Sequence, residues 1–143
     1  MPGRVTNSVH EKVWQPGKFT RPESESEAWK GLFVLRELAL PSLEKARQAK
    51  SIGKALEAKL TLSGSGPLLA DAKLNPDSLR ELLNVSQVEL AEDAAQAVVL
   101  ATVSKADGEK CERCWHWETD LGRNAEHLTL CGRCVEAVRQ FKT

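Results

Sequence analysis

Cys111-Glu112-Arg113-Cys114 and Cys131-Gly132-Arg133-Cys134 hold all four cysteines of this 143-residue chain, with sixteen residues between the two pairs. Two Cys-x-x-Cys pairs at this separation fit the four-thiolate zinc pattern. Two intervening residues let a tight turn aim both sulfurs at one point, while backbone N–H groups of the turn bond to them. Two such turns close a tetrahedron around Zn²⁺ and leave no position for water, so a site of this kind is structural, not catalytic. Two disulfides suit a secreted chain, and nothing else in the sequence suggests secretion. A redox Cys-x-x-Cys belongs in a βαβ context and is not expected twice in so short a span. Iron is the open alternative, since four thiolates hold either metal. His116 lies two residues after Cys114, but four thiolates already fill the shell, so it reads as a surface or contact residue. The spacing predicts a treble-clef or ribbon module with the first pair on a turn and a hairpin over residues 115–130, its tip near Leu121–Asn124. The second pair should open a helix from about Gly132 to Phe141. Cys134 then sits in its first turn, where the helix dipole favours a thiolate.

The flanks are more specific than the spacing. Ala106 to Trp117 reads Ala-Asp-Gly-Glu-Lys-Cys-Glu-Arg-Cys-Trp-His-Trp, and Ala125 to Val135 reads Ala-Glu-His-Leu-Thr-Leu-Cys-Gly-Arg-Cys-Val. The Glu-Lys-Cys-x-Arg-Cys-Trp-His core and the Leu-Cys-Gly-Arg-Cys close resemble the C-terminal zinc-binding end of bacterial isoleucyl-tRNA synthetases. The cysteine spacing is also similar to the zinc finger of formamidopyrimidine-DNA glycosylases. Upstream, Glu44-Lys-Ala-Arg47, the stretch Ser51 to Leu62 and Asn84-Val-Ser-Gln-Val-Glu89 resemble the synthetase again.

A chain of this length makes one modest domain or two small ones. Its 41% hydrophobic and 28% charged residues are those of a soluble globular protein. No run of 18 apolar residues is present, so no membrane span is expected. The first residues lack an apolar signal core. Reduced cysteines point to the cytoplasm. Net charge is zero but unevenly spread: seven Lys/Arg face three Asp/Glu over residues 30–59, two face six over 60–104, and seven face seven over 105–143. Four thiolates and one Zn²⁺ bring the last segment to about −2, so any RNA contact there depends on a local face, not on bulk attraction.

Three regions are expected: an extended lead-in at 1–21, a helical and α/β unit at 22–104, and the zinc module at 105–143, an α+β fold overall. Around the lead-in, Ser8-Val9-His10 and Trp14 resemble the end of the synthetase's anticodon-binding helical domain, although a partly ordered arm is the simpler reading. A helix should begin near Pro22–Ser26 with Ser24 as cap and Glu25 and Glu27 in the first turn. Ala28, Leu32, Leu35, Ala39, Leu43, Ala46 and Ala49 form its apolar stripe. Pro41 removes an amide and predicts a kink or break. Gly53 is the expected terminator. Residues 55–62 should form a strand with Leu56, Ala58, Leu60 and Leu62 on one face. Residues 63–67 read as a loop, and Asn75-Pro76-Asp77 starts a short helix carrying Leu79, Leu82 and Leu83. Strands are expected over 84–90 and 97–103, with a turn or loop over 91–96.

The resemblance spans about residues 40–136. It implies the C-terminal, tRNA-contacting appendage of an isoleucine–tRNA ligase, near the anticodon stem. Such enzymes activate isoleucine with ATP and charge tRNA(Ile). No His-Ile-Gly-His or Lys-Met-Ser-Lys-Ser element is present, and the histidines are His10, His116 and His127; the segment carries no catalytic centre of its own. Its implied partners are one structural zinc ion, tRNA(Ile) and the catalytic and anticodon-binding body of the same enzyme, in a cytoplasmic monomer. The candidate tRNA contacts are Arg113, Trp115, His116, Trp117, Arg123 and Arg133, with Lys45, Arg47, Lys50 and Lys54 from the helical part. Exposed aromatics beside cations suit unpaired bases and phosphates. Packing around the metal is the competing role for Trp115 and Trp117, and a solvated helix face is that of the lysines. Two other functions stand against this one. A DNA-glycosylase fragment shares the cysteine spacing and Pro2, but Gly3 stands where those enzymes require Glu. A stand-alone zinc adaptor would show an exposed apolar patch and no tRNA affinity.

Overall fold

In a computed structural model the described residues are Gly17 and 20–141. The expected lead-in, with Ser8, Val9, His10 and Trp14, lies outside the described residues except for Gly17 and residues 20–21. Helix α1 (Glu23–Gln48) buries Leu32, Leu35, Ala39, Leu43 and Ala46 along one side, the stripe read from the sequence. Its start differs from expectation. Pro22 is the N-cap residue and no side chain caps the helix, so Ser24 lies inside the first turn and Glu23 and Glu25 supply its acids. Pro41 does not break it. Pro41 is exposed, while buried Ala39 and Leu43 on either side hold the helix to the core, and one missing amide bond is outweighed by that packing. The helix ends earlier than Gly53. Lys50 takes a left-handed backbone (φ 57°) and the Ser51 N–H reaches back to the Ala46 carbonyl at 3.1 Å, a terminator of the kind usually built on glycine.

A single 3₁₀ turn at Ala55–Glu57 delays the first strand to β1 (Ala58–Gly64), in which Ala58, Leu60 and Leu62 face the core as expected and Leu56 does not belong. Helices α2 (Pro67–Leu74) and α3 (Pro76–Leu83) form the crossover to β2 (Gln87–Glu92), which lies parallel to β1. Helix α2 has no counterpart in the sequence reading. Helix α3 starts where Asn75-Pro76-Asp77 places it, but the Asn75 amide donates back to the Asp71 carbonyl (3.3 Å) and does not cap α3. Asn84 is left-handed (φ 54°) and closes α3, so β2 begins three residues later than expected and runs to Glu92, leaving the turn to residues 93–96. Strand β3 (Leu100–Lys105) pairs antiparallel with β1, giving sheet order β2-β1-β3. The core lies between this sheet and α1, α2 and α3. Each Leu removed from water there contributes about 1.5–3 kcal/mol. The Ser42 hydroxyl of α1 donates to the Ala101 carbonyl of β3 at 2.9 Å and fixes the helix along that strand.

After β3 the chain enters the cysteine segment, whose buried cluster of Cys111, Cys131 and Cys134 is separate from the main core. Strands β4 (Glu109–Lys110) and β5 (Trp117–Glu118) pair antiparallel around the first cysteine pair. The hairpin therefore encloses Cys111–Cys114, not residues 115–130. Those residues run through turns after β5, one of them closed by the Asn124 side chain accepting from the Glu126 N–H at 3.0 Å. Helix α4 (Gly132–Gln140) follows, as the spacing predicted. Gly108 is required: its φ is +84°, and a Cβ there would come within 2.2 Å of the Glu118 carbonyl oxygen.

Candidate metal centre and nucleic-acid interface

The first cysteine pair sits in a turn closed at both ends: the Trp115 N–H donates to the Cys111 carbonyl and the Cys111 N–H to the His116 carbonyl, each at 2.9 Å. The second pair opens α4, with Cys131 as N-cap residue and Cys134 in the first turn. The Asp120 carboxylate accepts from the Gly132 N–H at 2.9 Å and steadies that end of the helix. A bond from the Glu112 N–H to the Thr129 carbonyl (3.2 Å) brings the two cysteine turns together.

The result is one cluster. The four Sγ atoms lie within 4.8 Å of one another, and Cys114 and Cys131 approach to 3.7 Å. A tetrahedron with metal–sulfur bonds of about 2.3 Å has sulfur–sulfur edges of about 3.8 Å, so these positions suit one zinc ion. The donors are prepared for it. The Cys131 N–H points at the Cys111 sulfur (3.4 Å) and the Arg113 guanidinium at the Cys134 sulfur (3.6 Å). Burial opposes the Cys111 thiolate, but N–H groups of Cys114, Cys131 and Arg113 outweigh it and bring its pKa down to about 6. Burial pushes the Cys131 and Cys114 thiols up, and neighbouring sulfurs add to this. Four sulfurs so crowded do not all ionise alone; a divalent cation is what would hold all of them as thiolates. All four cysteines are free, so no disulfide competes.

Residues 108–137 match the family described as the zinc finger found in FPG and IleRS. Most of the chain is similar to isoleucine–tRNA ligases. It is 47% identical over 116 residues to the isoleucine–tRNA ligase of Gloeobacter violaceus, covering 77% of this chain and 12% of that protein. It is 46% identical over 115 residues to that of Exiguobacterium sibiricum (79% and 12%). It is 39% identical over an alignment of 151 residues to that of Yersinia enterocolitica (96% and 16%). The chain thus spans between an eighth and a sixth of the length of these relatives. The fold is α+β, and Cys111, Cys114, Cys131 and Cys134 lie together in positions that could hold one zinc ion.

The finger brings some of the candidate contact residues together and separates others. Trp115 is 59% exposed, held outward by a left-handed backbone (φ 66°), with the Lys110 ammonium 5.5 Å from its ring centre. Trp117 is half-buried, with the Lys105 ammonium 4.9 Å from its ring centre. Both rings line a groove with Lys54, Leu56, Glu57 and Lys110. Lys105 and Lys110 were missed in the sequence; their placement beside tryptophans follows from β3 and from the β4–β5 register, which local spacing does not reveal. His116 is a correction. It is buried (6% exposed), neither ring nitrogen finds a hydrogen-bond partner among the described residues, and burial together with Arg80 and Arg133 lowers its pKa. A neutral imidazole inside the protein offers no surface to RNA. Arg113 is exposed but directed at Cys134. Arg47 is bound by the Glu44 carboxylate at 2.7 Å, and Arg133 by Glu81 at 3.1 Å. Lys45 lies beside a groove between α1 and β3, Lys50 serves the helix end, and Arg123 lines a different groove, beside α4. No helix among the described residues is long and apolar enough to cross a membrane.

Proposed function

We propose that this chain is the zinc-bearing, tRNA-contacting part of an isoleucine–tRNA ligase, serving the ATP-dependent charging of tRNA(Ile) and adding no catalytic group of its own. The observation that carries this reading is the groove of Lys54, Lys110, Trp115 and Trp117 on a finger whose relatives are such ligases. An unpaired base stacks on an exposed indole, and the surrounding ammonium groups take its phosphates. The cation–π pairs at Trp115 and Trp117 hold the rings and the charges in register. In this reading the metal shapes the platform, the remaining body of the enzyme supplies catalysis, and the protein works as a cytoplasmic monomer. Residues 22–104 and 105–143 act as an α/β support and its finger.

Filter binding of tRNA(Ile) to the zinc-loaded chain tests the proposal, with a duplex containing an abasic site as competitor. Displacement by tRNA(Ile) but not by the abasic duplex is expected. Preference for the duplex would favour the glycosylase relationship that the finger family also includes. Binding to neither would remove the nucleic-acid role.

A further inference from the structure

Ser86 belongs to the Val85-Ser86-Gln87-Val88 motif and has no place in the metal site. It is fully buried (0% exposed), and its one hydroxyl serves two segments. It donates to the Leu56 carbonyl and accepts from the Trp117 N–H at 2.6 Å. Leu56 and Trp117 line the same groove from two segments, which form its walls: Lys54, Leu56 and Glu57 come from the approach to β1, and Lys110, Trp115 and Trp117 come from the β4–β5 hairpin. The sheet unit and the finger have separate buried clusters, so no shared apolar core fixes the distance between these walls. The joint is polar. Gln87 exchanges two bonds with the Asp107 backbone, Lys59 binds the Asp107 carboxylate at 3.0 Å, Arg80 pairs with Glu118, and Arg133 pairs with Glu81. Of these ties, only Ser86 bonds a residue of each wall.

We propose that Ser86 is the positioning residue of the groove: its hydroxyl sets the width and registry between the Lys54–Glu57 wall and the tryptophan wall, and so sets affinity for an unpaired RNA base. The binding part of this inference rests on the function proposed above; the positioning part does not. A buried hydroxyl bonded on both sides leaves two orphaned backbone groups when removed, which favours separation of the walls so that water can enter. The Ser86 hydroxyl bonds no atom of the cysteine turn, which keeps its own Trp115-to-Cys111 and Cys111-to-His116 backbone bonds, so the finger should stay folded while the groove loosens.

Hydrogen exchange at the Trp117 amide of the zinc-loaded 143-residue chain tests the tie without a substitution. Slow exchange is expected; exchange at the rate of an unbonded exposed amide overturns the proposal. Ser86→Ala, at one zinc per chain, should speed that exchange and weaken a fluorescein-labelled anticodon stem-loop RNA of tRNA(Ile) about tenfold. Ser86→Thr, which keeps a hydroxyl, should restore slow exchange. In a Trp115→Ala background, Ser86→Ala should cost little further affinity, because the groove it positions is already lost. A fully additive loss there would assign Ser86 to general stability and sink the proposal. Should Trp115→Ala leave RNA binding intact, the nucleic-acid reading fails; exchange at Trp117 then still decides the positioning, upheld if Ser86→Ala accelerates it and refuted if it does not.

Discussion

Gln87 and Asp107 clasp one another as a strand pair would, through one side chain and one backbone: the Gln87 amide donates to the Asp107 carbonyl at 3.1 Å and accepts from the Asp107 N–H at 2.9 Å. The clasp lies where β3 gives way to the finger, and it carries the first residues of the zinc segment on the edge of β2. Gln87→Ala should destabilise the zinc-loaded chain by about 1–2 kcal/mol, two partly exposed bonds at ordinary net values. Gln87→Glu can accept but not donate, and it places a carboxylate beside Glu89 and Asp107. It should be at least as harmful as Ala at pH 7, and milder at high salt, which screens the repulsion between carboxylates. Urea midpoints for the three proteins at pH 7, at low and at high salt, check this; a stable Gln87→Glu at low salt would mean the clasp carries no weight.

The metal should hold only its own end of the molecule. The sheet core has buried leucines from four elements, whereas the finger's buried cluster is little more than its cysteines with Leu121 and Leu130 at the margin. A cluster that small does not fold its segment without the ion. Chelation with excess EDTA should release one zinc per chain and remove protection from amide exchange over about residues 109–140, while β1 to β3 stay protected. Cys111→Ser should do the same without a chelator. Loss of protection throughout the sheet on chelation would show that the two units fold as one.

How much of this could be read beforehand depends on whether the determining contacts were local. The cysteine centre was legible because ligand number and spacing are written in short range, and α4 was legible for the same reason. The α1 stripe was legible because a 3.6-residue period survives without knowledge of its partner. Helix α2 was not: Pro67 to Leu74 is eight residues after a Ser/Gly loop, too short for periodicity to stand out. The hairpin was placed on the wrong side of Cys114 because β4 and β5 are two residues each and owe their pairing to the metal turn. His116 looked like a surface residue because nothing nearby in sequence shows that Arg80, Glu81 and Arg133 surround it. Lys50, with a left-handed backbone where glycine was expected, is a tertiary override of a local preference.

Zinc affinity should fall steeply with acid, and the sign follows from the thiols. In the folded arrangement of the finger Cys111 is held ionised above about pH 6, while burial and neighbouring sulfurs push Cys114 and Cys131 above the ordinary thiol value. A metal-free finger that has come apart leaves these thiols near the ordinary value and protonated at pH 7. Binding at pH 7 must therefore expel at least two protons from either state, those of Cys114 and Cys131 among them. Lowering pH adds competing protons and weakens binding. Calorimetry in two buffers of different ionisation enthalpy counts the protons. Release of fewer than two at pH 7 would contradict the burial of these sulfurs.

The arginines and lysines of the surface should not contribute equally to RNA binding. Arg47 and Arg133 already hold carboxylates, and Arg113 faces a cysteine sulfur. Transfer of any of these to a phosphate exchanges one partner for another and gains less than a solvated cation would. Lys54 and Lys110 line the tryptophan groove, whereas Arg123 lies beside α4. If RNA follows the groove, Lys54→Ala and Lys110→Ala should each reduce the slope of log K against log salt by about one, the loss of one neutralised phosphate. Arg47→Ala and Arg133→Ala should change it by much less, because Glu44 and Glu81 compete for those guanidinium groups. Arg123→Ala discriminates between a contact confined to the groove and one that wraps the finger. An unchanged slope confines RNA to the Trp115 side, and a drop of one unit extends it around α4. Fluorescence anisotropy with tRNA(Ile) from 50 to 200 mM salt, a range over which phosphate contacts dominate the affinity, gives each slope directly. Equal slopes for all five substitutions would mean that the chain attracts RNA diffusely and that the groove does not select its path.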